Sequence, residues 1–184
     1  MTIMERDEEH ITAETVETYT LRATRIEIVN KYGEPRMKLY AAEDGTPVIS
    51  LLDKDQRNKL LLTLSDEDNG WITWHNGNGD HRIVVGLKED SGEPTVMLFD
   101  NNNVSRLAMY IDNSLPHVAF FDQIDKARLS VFVEENGRPY IMFHNRSEEG
   151  QAFVTVPEDG SNRIALEGKG DVTVTIPLDE AREI

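Results

Sequence analysis

The chain has 184 residues, a formal charge of −15 and no cysteine. The missing thiols exclude a disulfide framework and any thiolate nucleophile or metal ligand. The charge speaks against nucleic acid and anionic membranes, whose binders need Lys and Arg patches to displace counterions. Leu, Ile, Val and Phe together supply 48 residues, enough apolar material for one folded domain.

In chain order, the opening MTIMERDEEH is acidic and lacks the basic and apolar regions of a signal peptide. No run approaches the roughly 18 apolar residues of a membrane span. A cytoplasmic origin is therefore the expectation, with a phage particle as the alternative. Residues 1–19 are rich in Glu and Thr without periodicity and read as a flexible acidic tail. Residues 20–29, TLRATRIEIV, read as a strand, and NKYGEP after it as a turn.

From there a strand-turn-strand-turn unit recurs, clearest in residues 106–150, where RLAMYI–DNSLP–VAFFD is followed by RLSVFV–EENGRP–YIMFH. The units open at Arg36, Arg57, Arg82, Arg106, Arg128 and, degenerately, Gln151, about six in all. The first strand of each alternates apolar residues on one face, as in Met37/Leu39/Ala41, Ile83/Val85/Leu87 and Leu129/Val131/Val133. That face is committed to a core. The opposite face is mixed, as in Lys38/Tyr40, Ala108/Tyr110 and Ser130/Phe132.

The second strand is apolar on both faces in most copies: VISLL, VMLF, VAFF and YIMF. Such a strand asks for cover on both sides, from another layer of the chain or from another subunit. The turns EDGTP, DSGEP and ENGRP place Gly two residues before Pro, a positive-φ position followed by a fixed φ that launches the next strand. DNSLP keeps only the Pro. No helical period of useful length occurs, and residues 171–177, DVTVTIP, read as a last strand before a C-terminal tail at 178–184.

The polar positions are weak as sites. Asp53, His75, Asp100, Asp122 and His144 close the second strands, and an Asp that caps the turn and pairs with the following Arg is the plain account. A metal ladder is the competing one. NGNGDH and SDEDNG match neither a phosphate loop nor an EF-hand and read as long hairpin loops. Trp71 and Trp74, three apart on a strand, point to opposite faces and cannot form one sugar platform. Trp71, His75 and Asp80 are the ligand-binding candidates. Trp74, Phe99, Phe121 and Phe143 share a register and are the candidates for a subunit interface.

The unit, best seen in RMKLYAAEDGTPVISLLD (36–53) and RLSVFVEENGRPYIMFH (128–144), resembles a family of uncharacterised bacterial and phage-associated repeat proteins. Their units of about 22 residues read R-x-x-L, then G-x-P-x-L-x-L-x-D. The likeness covers residues 20–167, with departures at Gln151 and in the unit at 57–81, which loses the Pro. What the resemblance implies is an all-β repeat, without a catalytic constellation; some such repeats look like the β-rich shafts of fibres.

The expectation is thus one all-β domain over residues 20–177, with about fourteen short antiparallel strands. Its form is either a β-solenoid or β-prism, or an interleaved oligomeric meander. No catalytic residue, metal or cofactor is assigned. The expected function is a non-enzymatic structural or interaction module that forms a dimer or trimer, without nucleic-acid or membrane partners. A carbohydrate or surface-ligand module, using loops around 65–81, is the first alternative. A glycosidase using paired carboxylates is the second.

Overall fold

In a computed structural model the protein is all-β. The structure describes residues 18–145, 151–155, 163–167 and 174–177. The strands are β1 (Arg25–Val29), β2 (Pro35–Ala41), β3 (Pro47–Leu52), β4 (Asn58–Leu64), β5 (Gly70–His75), β6 (His81–Leu87) and β7 (Pro94–Phe99). They continue as β8 (Ser105–Asp112), β9 (Leu115–Phe121), β10 (Ala127–Val133), β11 (Pro139–His144), β12 (Gln151–Thr155), β13 (Arg163–Glu167) and β14 (Val174–Pro177). All fourteen lie in one antiparallel sheet in sequence order, and each pairs only with its neighbours in the chain. The all-β, antiparallel strand-turn-strand order expected is observed, as an open meander within the chain. Strand β1 starts five residues later than the pattern at 20–29 suggests; the expected tail at 1–19, but for its last two residues, and the expected tail at 178–184 lie outside the described residues.

Because side chains on a strand alternate, directly opposed residues share a face. Following the pairings from strand to strand gives one unbroken row: Ile26, Leu39, Ile49, Leu62, Ile72, Val85, Val96, then Met109, Val118, Val131, Ile141, Val154, Ile164 and Ile176. Every member is apolar. Two residues along each strand, on the same face, runs a second row: Ile28, Met37, Leu51, Leu60, Trp74, Ile83, Leu98, then Leu107, Phe120, Leu129, Phe143, Ala152, Leu166 and Val174. Each opposed pair contributes roughly 0.2–1 kcal/mol, and the rows run through every strand. This aliphatic face carries the alternation predicted for the first strands.

The other face is mixed, and it is where burial occurs. Ser50, Val84, Ala108 and Ala119 in one row, and Thr95, Tyr140 and Thr155 in the next, are buried. Small side chains here are opposed to larger ones on adjacent strands, Ser50 to Leu61 and Ala108 to Met97. At one point the fit is absolute: a Cβ on Gly86 would lie 2.4 Å from Cε3 of Trp71, its opposed residue. The indole covers the bare backbone of Gly86, which is what a glycine in a strand permits.

Five described hairpins at one edge of the sheet share one turn. In each, Asn30, Asp53, Asn76, Asp100 or Asp122 accepts, through Oδ1, hydrogen bonds from the backbone N–H groups two and four residues on, at 2.8–3.1 Å. The third residue after it has positive φ: Gly33, Gln56, Gly79, Asn103 and Asp125. This is a type I turn ending in a left-handed residue, closed by an Asx side chain. At the opposite edge Gly45, Gly92 and Gly137 take the positive φ ahead of Pro47, Pro94 and Pro139, as predicted, and Asn113 and Ser114 form a two-residue turn.

The shared turn corrects two sequence assignments. The turn residues are Asn76 and, by position, Asn145, because His75 and His144 are the last residues of β5 and β11 and lie one place earlier. A bulge follows each shared turn, and the extra residue is Arg36, Lys59, Arg82, Arg106 or Arg128. Lys59 therefore holds the unit's opening position, and Arg57 belongs to the turn. Gln151 pairs directly with His144 with no bulge between β11 and β12, so the sixth unit lacks the feature.

Replacing Gly86 with Val should destabilise the protein by about 1–3 kcal/mol through overpacking against Trp71. Urea unfolding followed by tryptophan fluorescence checks this; an unchanged midpoint would refute the contact.

Candidate functional site

The feature that most departs from an ordinary domain is the aliphatic face. Among the described residues no strand touches any but its chain neighbours, so no second layer of this chain lies against it. Leu51, Leu62, Leu98, Met109, Phe120, Val131, Ile141, Phe143 and Val154 remain 37–49% exposed. A continuous apolar band of this kind is the feature that singles this face out as the candidate site. The core expected on this side is not formed within one chain, because the meander returns each strand beside the last and never folds back over it.

Of the four interface candidates, Trp74 and Phe143 lie in the second aliphatic row. Phe99 and Phe121 do not. They follow Leu98 and Phe120, which hold the row, and so they sit on the mixed face. The bulge adds one residue to the count between strands, and a slip of one moves a side chain to the opposite face.

On the mixed face five rings form a ladder across β8 to β12. Tyr110, His117, Phe132 and Tyr140 stack at centroid separations of 5.2, 5.4 and 5.2 Å with interplanar angles of 13° or less, and Phe153 meets Tyr140 edge-on at 5.8 Å. Lys88 Nζ caps Tyr110 at 4.7 Å and the Arg138 guanidinium lies 5.3 Å from Tyr140. The rings offer their faces to each other and to these cations. These contacts tie the neighbouring strands β8 to β12 together on this face. A groove of about 540 Å³ beside the ladder is lined by Asp112, His117, Phe132, Glu134 and Glu135.

The ligand candidates are not brought together. Trp71 and His75 share the mixed face of β5 but stand four residues, about 13 Å, apart along the strand. Trp71 is committed to Gly86. His75 is tied at both ring nitrogens, to Thr73 Oγ1 at 2.9 Å and the Gly79 carbonyl at 3.0 Å. Asp80 accepts from Asn76 Nδ2 at 2.9 Å and lies 3.8 Å from Arg82. The His81 ring packs 4.8 Å from that of His75, and burial, then the charge of His75, lowers its pKa against the pull of Asp80. Among the described residues no three His, Asp or Glu side chains are placed to hold a metal ion. The stretches at 65–70 and 76–81 are turns with the same bonding as their neighbours, not long loops.

The shared-turn edge carries an ionic ladder. Arg36, Arg82 and Arg128 each donate to a backbone carbonyl one hairpin further on, those of Asp53 (2.7 Å), Asp100 (2.6 Å) and Asn145. The same bulge cations pair with carboxylates of their own hairpin: Arg36 with Glu34 at 2.7 Å, Lys59 with Asp53 at 3.6 Å, Arg106 with Asp100 at 3.8 Å and Arg128 with Asp122. Capping of the turn and pairing with the cation are thus both present at Asp53, Asp100 and Asp122. Pairs this exposed contribute little, about 0–1 kcal/mol each, so the ladder orients the hairpins while the aliphatic rows hold them.

The turn amides set the carboxylate acidity. The N–H of Arg57, with the Arg57 side chain and the N–H of Asp55, brings Asp53 down to about 2 against some desolvation. Asp100 is lowered chiefly by the N–H of Val104. At Asp122 desolvation is the largest effect and raises the pKa, but the N–H groups of Ile124 and Lys126 and the Arg128 side chain together outweigh it.

The chain matches no family model and no curated protein sequence.

Carboxylates that ionise more readily folded than unfolded add stability in full above their unfolded pKa near 3.9. They lose that contribution as pH falls through the folded value. Stability should therefore decline between about pH 4 and pH 2. Asp53→Asn/Asp100→Asn/Asp122→Asn keeps the Oδ1 acceptor, as Asn30 and Asn76 do natively, and should flatten that decline. Thermal melts from pH 7 to pH 2 check it; an equally steep acid limb in the variant would overturn the assignment.

Proposed function

We propose that this protein is a non-enzymatic structural module whose aliphatic face is covered by a second or third copy of the same chain. The single observation that carries the reading is the pair of apolar rows running through every strand with no layer of the described residues against them. Thirteen inter-strand steps of about 4.8 Å make a band about 60 Å wide, and two rows of side chains take up about 12 Å along the strands. That is roughly 700 Å² per copy, close to the roughly 800 Å² each partner gives to a standard stable interface. The two faces match one another by self-complementarity: both are aliphatic, and the 34 acidic residues play no part in either row.

Sheets twist by roughly 20–25° per strand, so over this width the band becomes a helical ribbon. A partner covering its whole length winds with it. An interleaved assembly, with the charged hairpin edges turned to water, fits that geometry.

Light scattering after size-exclusion chromatography should give two or three times the 20.9 kDa of the chain. Leu62→Asp/Ile141→Asp places two charges in the band at positions about two-fifths exposed in the single chain. The variant should keep its β-sheet circular dichroism and run as a monomer, since a charge buried without a partner is strongly unfavourable at an interface. A wild-type monomer with the same spectrum would overturn the reading.

A further inference from the structure

We propose that copies of this chain also join end to end, β14 of one molecule adding to β1 of the next, so that the sheet continues from molecule to molecule. The proposal shares self-association with the reading above but uses a different surface, the strand edge instead of the aliphatic face.

Among the described residues β1 and β14 each have one hydrogen-bonded neighbour. No described backbone hydrogen bond reaches the outer side of β1. Natural sheets blunt such edges with charged side chains, Pro or a bulge. In β1, RIEIV, there is no Pro, the two charges Arg25 and Glu27 pair with each other, and the bulge lies on the side already paired with β2; the Pro of β14, Pro177, stands at its last residue. Ile28 and Val29 are 54% and 49% exposed.

What fits this edge is fixed by parity and phase. Strand direction reverses at each pairing, so with fourteen strands β14 runs opposite to β1, and a second copy in the same orientation presents an antiparallel partner. In that register Ile176 pairs with Ile26 of the next copy and Val174 with its Ile28, so the register positions of both apolar rows continue across the junction. The other positions oppose Thr175 to Glu27 and Pro177 to Arg25, with no like charges opposed. The junction also falls at the correct edge: β1 and β2 are joined by a shared turn, so β14 and the next β1 meet where the Pro turns alternate with them. A contact between two different edges is heterologous and propagates.

The chain has no native cysteine, so introduced ones report alone. Opposed residues in an antiparallel pair stand about 4.5–5.5 Å apart at Cα, within disulfide reach. Oxidised Glu27→Cys/Thr175→Cys should give a ladder of dimers, trimers and higher species on a non-reducing gel, whereas either single variant stops at dimers. Arg25→Cys/Thr175→Cys, two residues out of register, should give at least tenfold less. Glu27→Cys/Lys38→Cys, opposed within one copy, should give an internal crosslink and so verifies folding. Monomer only, an internally crosslinked 27/175 monomer, or an equal ladder from the misregistered pair would overturn the proposal. Repeating the 27/175 pair in the Leu62→Asp/Ile141→Asp background separates the two surfaces. A surviving ladder assigns the contact to the edges, and its loss would assign it to face stacking and overturn the end-to-end join.

Discussion

A strand turns over at every second residue, so a meander keeps its apolar residues on one side only if each hairpin returns the chain in the same phase. Every described turn in this sheet satisfies that constraint. The two aliphatic rows pass through all fourteen strands with no polar residue in them. The shared turn does it with an Asx cap, a left-handed residue and a bulge that absorbs one extra position. The Pro turns do it with a positive-φ Gly or a two-residue reversal. Everything else in the molecule, including which face is wet and which is bare, follows from that phase.

Much of the architecture is legible in the sequence. Alternation in the first strands, apolar runs in the second, and Gly two places before Pro locate most strands and one whole edge of turns. What the sequence does not display is the bulge. Lys59 and Arg57 look alike as cations near a strand start, and only the pairing of Leu52 with Asn58 and Leu51 with Leu60 shows which is the extra residue. The same hidden residue sends Phe99 and Phe121 to the face opposite Trp74. It also makes His75 and His144 look like turn residues when Asn76 and Asn145 fill that place. A signal was present: Asn30, Asp53, Asn76, Asp100 and Asp122 each stand three residues before Gly33, Gln56, Gly79, Asn103 and Asp125, a spacing more regular than that of the arginines.

The functional candidates fare differently because a site needs convergence, and a single-layer sheet supplies little. Side chains on one face that are distant in the strand direction stay distant, as Trp71 and His75 do. Those that are close are neighbours along a row, and here they satisfy one another: rings against rings, histidine against threonine and carbonyl. What the described residues leave without cover is the apolar surface, which runs the width of the sheet instead of converging on a point.

Pairing only between successive strands has a consequence for how such a chain forms and varies. With no contact that closes a long loop, the entropy of assembly is paid hairpin by hairpin, and stability is close to a sum of neighbour terms. The sheet can start from any well-capped hairpin and zip outward in both directions. Length is then a free variable. Two strands can be gained or lost together without disturbing either row, while a single strand cannot, since it would leave the next turn at the wrong edge and turn every following side chain to the wrong side.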